Sequence, residues 1–334
     1  MSGPSFGNVI PGTSADLERL QAEWISHAYP EPPPAPKRSL VTAILLLLVT
    51  ACTCLAAGAQ FAASYANNQA ASTEEYIRAF KTLFVHPGQL TSGLPFAATL
   101  LTILLAHELG HYFACRHHRI RSSYPLFIPF PSLIGTFGAF ILIRSAIRTR
   151  RALFDVGASG PLVGFVFAIP ALVYGVMHAK FVPGMANTGK MEFVFGVPLA
   201  VKLIAALVHP GVPAKLLLLD PVGRAAWVGL FATSLNLLPS GQLDGGHILR
   251  SVSTRVHWAV SWILPLLLVA LGLLQNWSGW FIWAGLLFAL RFLRMPPIYD
   301  AAPLDRTRRW IAVIALIVFV LSFMPAPVLS SAAN

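Results

Sequence analysis

The sequence LPFAATLLTILLAHELGHYFAC, from Leu94 to Cys115, combines a long apolar run with three ionisable side chains near its end. About 20 apolar residues are the length that a helix needs to cross a bilayer. Ionisable residues inside such a helix are costly, face the protein interior and by default have a function. The stretch therefore predicts a membrane-spanning helix with functional ionisable side chains near its end.

The composition of the whole chain also indicates a membrane protein. Only 11% of the 334 residues are charged, whereas an average soluble domain carries about 25%. Aliphatic, aromatic and cysteine residues make up 56% of the chain, and the mean hydropathy is +0.67. This composition excludes a disordered or collagen-like chain. The three cysteines, an odd number in or beside apolar runs, argue against a disulfide scaffold.

Seven apolar stretches have the length of a membrane span. The predicted fold class is therefore an all-α polytopic membrane protein with about seven transmembrane helices. The predicted spans are residues 40–64, 94–115, 153–178, 223–243, 257–275, 277–293 and 310–330.

Residues 124–143 are also apolar, but they contain prolines and glycines and have arginines on both sides. Arginine-rich short loops stay on the cytoplasmic side of a membrane, so this segment is expected to enter and return without crossing. Non-helical backbone at membrane depth must be sheltered by protein or line a wet cavity. We therefore expect a re-entrant β-hairpin or loop in this segment, and we expect 193–219 to lie at the opposite interface.

The net charge of +11 comes from Lys and Arg that cluster between the apolar runs. They indicate membrane topology rather than a nucleic-acid partner, and they place the N-terminus in the cytoplasm and the C-terminus on the opposite side. A bacterial inner membrane is the expected location. The predicted division is a flexible cytoplasmic tail with a short amphipathic helix around Leu17–Trp24, a first span with its outer loop, a catalytic membrane core, and C-terminal spans. Their ranges are 1–39, 40–91, 92–250 and 251–334.

His107 and His111 lie four residues apart, so both imidazoles fall on one helix face, one turn apart. This spacing lets both bind a single tetrahedral zinc ion, while the intervening Glu108 can serve as a general base. At about 1.5 Å per residue, His107 is expected roughly 14 Å below the surface marked by Arg116.

A catalytic zinc ion usually takes three protein ligands, so a third must come from elsewhere in the chain. The other candidate near the end of a span is Asp244, in the stretch from Asn236 to His247. In the predicted topology both spans run in the same direction, so the two sites have the same depth. Pro239 and the nearby glycines would break the helix and turn Asp244 inward. A simple Asp-Gly-Gly turn at the membrane surface is the alternative reading.

Four motifs together resemble the site-2 protease family of intramembrane zinc metalloproteases, especially its compact bacterial and plastid-type members. They are HELGH, GTFGAFI (135–141), FDVGASGPLVG (154–164) and NLLPSGQLDGGH (236–247), and the resemblance covers about residues 96–250. The resemblance implies one zinc ion per chain on His107, His111 and Asp244. It also implies Glu108 as the catalytic acid/base and Asn236 as a polar group that contacts substrate or the developing oxyanion.

The GTFGAFI segment resembles the membrane-embedded strand with which this family meets an unwound substrate. Gly135 and Gly138 permit close backbone approach and are the predicted substrate contacts, although glycines that only turn a loop are the simpler alternative. The predicted partners are a transmembrane protein substrate and the lipid bilayer. No accessory peptide-binding or nucleotide-binding segment is recognisable, and the oligomeric state does not follow from the sequence.

A metal transporter or metal sensor is the alternative function, since intramembrane His and Asp are usual there too. Glu108 separates the two functions, because transport needs ligands but no general base. His247 beside the proposed metal is a further candidate for a hydrogen bond to a ligand carboxylate.

Overall fold

A computed structural model describes residues 38–85, 87–182, 192–292, 298 and 302–331. The predicted amphipathic helix around Leu17–Trp24 lies outside the described residues. The described chain is mostly helical, and its strands are short.

Helices form most of the described chain, and short strands lie between them. The helices are α1 (Arg38–Ala66), α2 (Thr73–Val85), α3 (Leu94–His117), α4 (Arg150–Met177), α5 (Leu199–Val208), α6 (Pro221–Asn236), α7 (Asp244–Val252), α8 (Thr254–Gln275), α9 (Gly279–Leu290) and α10 (Arg306–Ser322). The strands are β1 (Ala71–Ser72), β2 (Leu126–Pro129), β3 (Thr136–Phe140), β4 (Lys180–Phe181), β5 (Glu192–Phe195), β6 (Leu217–Leu218) and β7 (Val328–Ser331).

Four helices in the described part of the chain are long and apolar enough to cross a membrane. They are Ser39–Ala66, Leu90–His117, Arg150–Met177 and Thr254–Gln275. They correspond to four of the seven predicted spans.

The other three predicted spans coincide with the shorter helices α6, α9 and α10, of 16, 12 and 17 residues. The count of seven is therefore not confirmed. The stretch 223–243 differs most, because α6 ends at Asn236 and the following chain turns at Pro239 and at Gly241, whose φ is +57°. Proline ends a helix and a positive φ favours glycine, so this apolar stretch cannot be one continuous helix.

The centre of the molecule is a group of closely packed helices, α3, α4 and α6. Gly110 of α3 faces the backbone of Ser159 and Gly160 on α4, where an added Cβ would come within 2.7 Å of the Ser159 carbonyl oxygen. Small residues let helix backbones approach closely, which is the usual way that membrane helices associate. The close approach brings the histidine-bearing face of α3 against α4.

Strands β2 and β3 form an antiparallel hairpin within the segment 124–143. The buried Thr136 hydroxyl donates a hydrogen bond to the Ile128 carbonyl oxygen at 2.8 Å and accepts one from the Gly138 amide at 2.9 Å. The tip of the hairpin docks on α1, where the Thr53 hydroxyl donates to the Gly135 carbonyl oxygen at 2.6 Å. The hairpin is thus held against the first helix.

Two small sheets lie near the start of α6. Strand β5 pairs with β1 and β7, and β4 pairs with β6. Residues 193–219, which the sequence analysis placed at an interface, form β5, α5 and β6 in this region. Trp227 of α6 joins the core to the sheet, since its indole Nε1 donates to the Gly196 carbonyl oxygen at 2.6 Å.

Candidate metal centre

Side chains of His107, His111 and Asp244 meet at one point. Each offers a ligand atom, and these atoms all lie within 4.8 Å of one another. The Nε2 atoms of His107 and His111 are 3.1 Å apart, and Asp244 Oδ2 lies 3.4 Å from the first and 3.2 Å from the second. Both imidazoles are buried. Two nitrogens and one carboxylate oxygen are a usual donor set for a catalytic zinc ion, so the three residues fit this metal.

The local sequence explains how these groups converge. His107 and His111 are one turn apart on α3, while Asp244 is the first residue of α7, after the turn that follows α6. The turn is tight, because a Cβ added at Gly245 or Gly246 would overlap the backbone of residues 237–241. The two glycines therefore allow the chain to fold back and to direct Asp244 toward α3.

The orientation of the His111 ring is set by α4. Its Nδ1 lies 2.7 Å from the Val156 carbonyl oxygen, which can only accept a hydrogen bond. We therefore assign the proton to Nδ1, and the lone pair of Nε2 is then free for a metal ion. A carbonyl partner behind a ligating histidine is a usual way to orient the ring and raise its basicity.

Two glycines of α4 make room for the histidines. A Cβ at Gly160 would overlap the His111 imidazole, and one at Gly164 would lie 3.1 Å from Cβ and Nδ1 of His107. The roles of Val156, Gly160 and Gly164 were not predicted from the sequence. The four-residue spacing of the two glycines in FDVGASGPLVG, which puts both on one helix face, is the signal that points to their role.

The candidate catalytic groups line one cavity of about 400 Å³ with the three ligands. Glu108 is buried, and it lies on α3 between the two histidines. The Asn236 amide nitrogen, Nδ2, at the end of α6, lies 3.3 Å from His107 Nε2. His247 lines the same cavity, and its buried Nδ1 has no hydrogen-bond partner in the described part of the chain.

The hairpin forms another wall of this cavity, through Ala139 to Ile143. The two glycines predicted to contact substrate have different surroundings. Gly135, with a φ of +81°, packs against α1, where an added Cβ would lie 2.6 Å from the Cys54 Cα. Gly138, with a φ of +111°, has no atom within 4 Å of an added Cβ. Gly138 therefore faces open space, while Gly135 docks the hairpin.

Comparison with known proteins identifies a matching family and several similar proteins. A model of the group described as Peptidase family M50 matches residues 95–262, which include the metal centre and half of the chain. The "Probable zinc metalloprotease EGY1, chloroplastic" of Arabidopsis thaliana is 30% identical over 243 residues, covering 70% of this chain and 43% of that protein.

Two further relatives have similar names. The EGY1 protein of Oryza sativa subsp. japonica is 28% identical, covering 70% of this chain and 41% of that protein. The "Probable zinc metalloprotease EGY2, chloroplastic" of Arabidopsis thaliana is 31% identical, covering 64% of this chain and 37% of that protein. The chain thus spans between 37% and 43% of the length of these relatives.

Proposed function

Because the chain belongs to peptidase family M50, the site-2 protease family, we propose that it is an intramembrane zinc metalloendopeptidase. It hydrolyses a peptide bond in a transmembrane segment of a membrane protein, as in regulated intramembrane proteolysis. The observation that carries this proposal is the convergence of His107, His111 and Asp244 beside the buried Glu108. The relatives, which are named probable zinc metalloproteases, support the same activity.

The three ligands have the role of holding one zinc ion per chain. When bound, zinc supplies a Lewis acid that polarises a carbonyl group and lowers the pKa of coordinated water. The Val156 carbonyl keeps the His111 ring in the tautomer whose Nε2 can bind. Burial of both imidazoles keeps bulk water from competing for the ligand atoms.

Glu108 has the role of general base and then general acid. A carboxylate oxygen of Glu108 takes a proton from the attacking water and passes it to the nitrogen of the departing amine. The side chain lies in the ligand-lined cavity, so a peptide bond that enters this cavity comes within its reach. Asn236 lines the same wall, and its amide N–H donates to the scissile carbonyl oxygen as negative charge develops there.

A helical substrate must unwind before it can be cleaved, because its carbonyl groups are engaged in its own hydrogen bonds. Strand β3 has one paired neighbour, β2, and it borders the cavity. We propose that β3 adds the unwound substrate as a further strand, which replaces the hydrogen bonds lost on unwinding. Gly138 has space around it for a close backbone approach to substrate, and in this proposal Gly135, which packs against α1, holds the hairpin in place.

The membrane arrangement is part of the proposal. The hairpin is re-entrant, the shorter helices α6, α9 and α10 complete seven spans with the four long ones, and the N-terminus is cytoplasmic. Residues 92–250 form the catalytic core in this arrangement; the tail (1–39) and the first span (40–91) precede it in the chain, and the C-terminal spans (251–334) follow it. The named relatives are chloroplastic plant proteins, so they do not support a bacterial inner membrane in particular.

The variant Glu108→Gln tests the proposal against a metal transporter or sensor with the same ligands. We expect cleavage of a co-expressed membrane substrate to fall by at least about 100-fold, because a general base contributes roughly 10²–10⁴. The purified variant should still hold one zinc ion. A membrane proteome comparison would show a single-pass protein that accumulates uncut.

His107→Ala is the matched control, because it removes a ligand and should abolish both zinc binding and cleavage. If Glu108→Gln cleaves at the normal rate, the assignment of Glu108 as the general base is wrong. Normal metal flux together with no cleavage by the unmodified protein would favour the transporter.

A further inference from the structure

A second cavity, of about 360 Å³, lies where α6 begins. At about 1.5 Å per residue, α6 places Arg224 roughly 18 Å from Asn236 at the candidate metal centre. The two cavities share no lining residue. The cavity is therefore separate from the site proposed for peptide hydrolysis.

The walls of this cavity are mainly apolar. They come from β5 with the residues after it, from β6 with its neighbours, and from the first turns of α6. The large side chains among them are Phe195, Leu217, Leu218, Leu219 and Trp227. Such walls suit an alkyl chain.

Arg224 lies in this apolar wall, and the residue is buried, with only 9% of its surface exposed. Its guanidinium carbon is 4.2 Å from the centre of the Phe195 ring and 5.8 Å from that of Phe61. Within the described ranges, no hydrogen bond or ion pair joins the guanidinium to another residue. The nearby Asp220 carboxylate instead caps α6, accepting from the Gly223 amide at 2.8 Å.

A buried cation is costly, and contact with aromatic rings together with the Asp220 carboxylate one turn away offsets only part of that cost. The exposed Lys215 lines the same cavity and adds a second positive charge. The described lining residues include no Asp or Glu. The cavity is therefore positively charged and apolar at once, which calls for an anionic group on an apolar ligand.

We propose that this cavity binds a small amphiphilic carboxylate. The planar guanidinium of Arg224 matches a carboxylate in two parallel hydrogen bonds, and Lys215 adds attraction at the exposed side. The alkyl chain of the ligand lies against Phe195 and Trp227. The cavity is near the lower end of the roughly 300–1,000 Å³ range of small-molecule sites, so a short chain fits better than a folded partner.

Octanoate is the probe, with the full-length protein in nanodiscs of zwitterionic phosphatidylcholine and empty nanodiscs as the background. Saturation-transfer NMR titrations should give one saturable octanoate site per chain. We expect 1-octanol, which has the same chain without the charge, to bind at least tenfold more weakly. Octyl phosphate should also bind more weakly than octanoate, because its head group is larger and the cavity of about 360 Å³ is small.

Arg224→Met should weaken octanoate binding at least tenfold. The folded state is expected to survive, because an apolar side chain of similar size often replaces a buried charge without loss of stability. Retention of one zinc ion per chain checks the fold. Arg78→Met, which removes an exposed arginine elsewhere, is the matched control and should leave binding unchanged. Lys215→Met, at an exposed position, should weaken binding several-fold.

Equal binding of octanoate and 1-octanol, or unchanged octanoate binding in both Arg224→Met and Lys215→Met, would overturn the proposal. Tighter binding of octyl phosphate than of octanoate would overturn the carboxylate preference. The titration needs no cleavage, so Glu108→Gln should bind octanoate normally. The result is therefore independent of the proposed peptidase activity.

Discussion

At the scale of single residues, the candidate metal centre depends on two glycines of α4 as well as on the side chains that could bind the ion. His107 and His111 face α4 at Gly164 and Gly160, and the α4 backbone supplies the Val156 carbonyl behind the His111 ring. A larger residue at either glycine would occupy the space of an imidazole. The motif on α4 therefore shapes the site without providing a ligand to it.

Gly160→Ala should weaken zinc binding while leaving all three ligands in place. The new Cβ would overlap the His111 ring, so the ring must turn and lose its bond to the Val156 carbonyl. Loss of such a supporting contact costs roughly 10–100-fold in metal affinity. Competition with a fluorescent zinc chelator measures the change.

Gly285→Ala on α9 is the matched control, because no atom lies within 4 Å of a Cβ added there. It should bind zinc normally and be slightly more stable, since alanine favours a helix over glycine by about 1 kcal/mol. Equal zinc affinities for the two variants would contradict the steric account of Gly160.

At the scale of secondary-structure elements, hydrogen bonds attach the hairpin and helix α10 to neighbouring helices. The hairpin of β2 and β3 docks on α1 through Gly135 and Thr53. Helix α10 attaches to the start of α4, where Arg308 donates to both carboxylate oxygens of Asp155, at 2.8 Å and 2.5 Å. His118, just after α3, contacts the same carboxylate at 2.8 Å, so Asp155 joins three elements.

Gly135→Ala should displace the hairpin and lower cleavage without loss of zinc. Its φ of +81° is unfavourable for alanine, and the new Cβ would lie 2.6 Å from the Cys54 Cα. Such strain costs about 1–3 kcal/mol. Substrate cleavage and zinc content measured on the same preparation separate the two effects. Normal cleavage in this variant would show that docking on α1 does not position the hairpin.

Arg308→Met should loosen α10 from the core. Hydrogen bonds to charged groups are worth about 1.5–3 kcal/mol, so the free energy of unfolding should fall by about that much at most, since the pair is partly exposed. Denaturant unfolding of the protein in detergent measures this. Arg306→Met is the control, because Arg306 is exposed and has no ion pair in the described part of the chain, and it should change the stability little. Equal effects of the two variants would show that the Arg308–Asp155 pair does not hold α10 to the core.

At the scale of the whole molecule, the metal centre joins parts of the chain that are distant in sequence. Its candidate ligands lie on α3 and α7, and α4 and α6 pack around them. A bound ion would therefore cross-link the centre of the bundle. Ligand binding to the native state alone stabilises a protein in proportion to the logarithm of the ligand concentration over Kd.

Removal of zinc with a chelator should lower the thermal stability of the protein. At a free zinc concentration of 100 times Kd the ion contributes about 2.7 kcal/mol, so the unfolding temperature should fall by several degrees. Differential scanning fluorimetry in detergent, with and without chelator, measures the shift. Asp244→Asn should show little further change on chelation. An equal shift in this variant would mean that the ion does not act through Asp244.

The membrane class and the helix with the histidine pair follow from the sequence alone. Both are local properties, since apolar length and a four-residue spacing do not depend on distant contacts. The ends of the spans do not follow from hydropathy, although Pro239 and the nearby glycines did predict the break after α6. Hydropathy continues from 223 to 243, but Pro239 and the turn at Gly241 end α6 earlier.

The groups that surround the candidate metal centre, and the glycines that make room for it, become visible only in the folded chain. The Val156 carbonyl is a backbone atom that no side-chain pattern reveals, and Gly135 and Gly138 look alike in GTFGAFI until α1 is seen beside one of them. In the sequence Arg224 is one more basic residue near a helix end, and only the folded chain shows that it is buried against the Phe195 ring. The physical reason is common to all three. Steric fit and desolvation depend on atoms that are far apart in the chain, and folding alone brings them together.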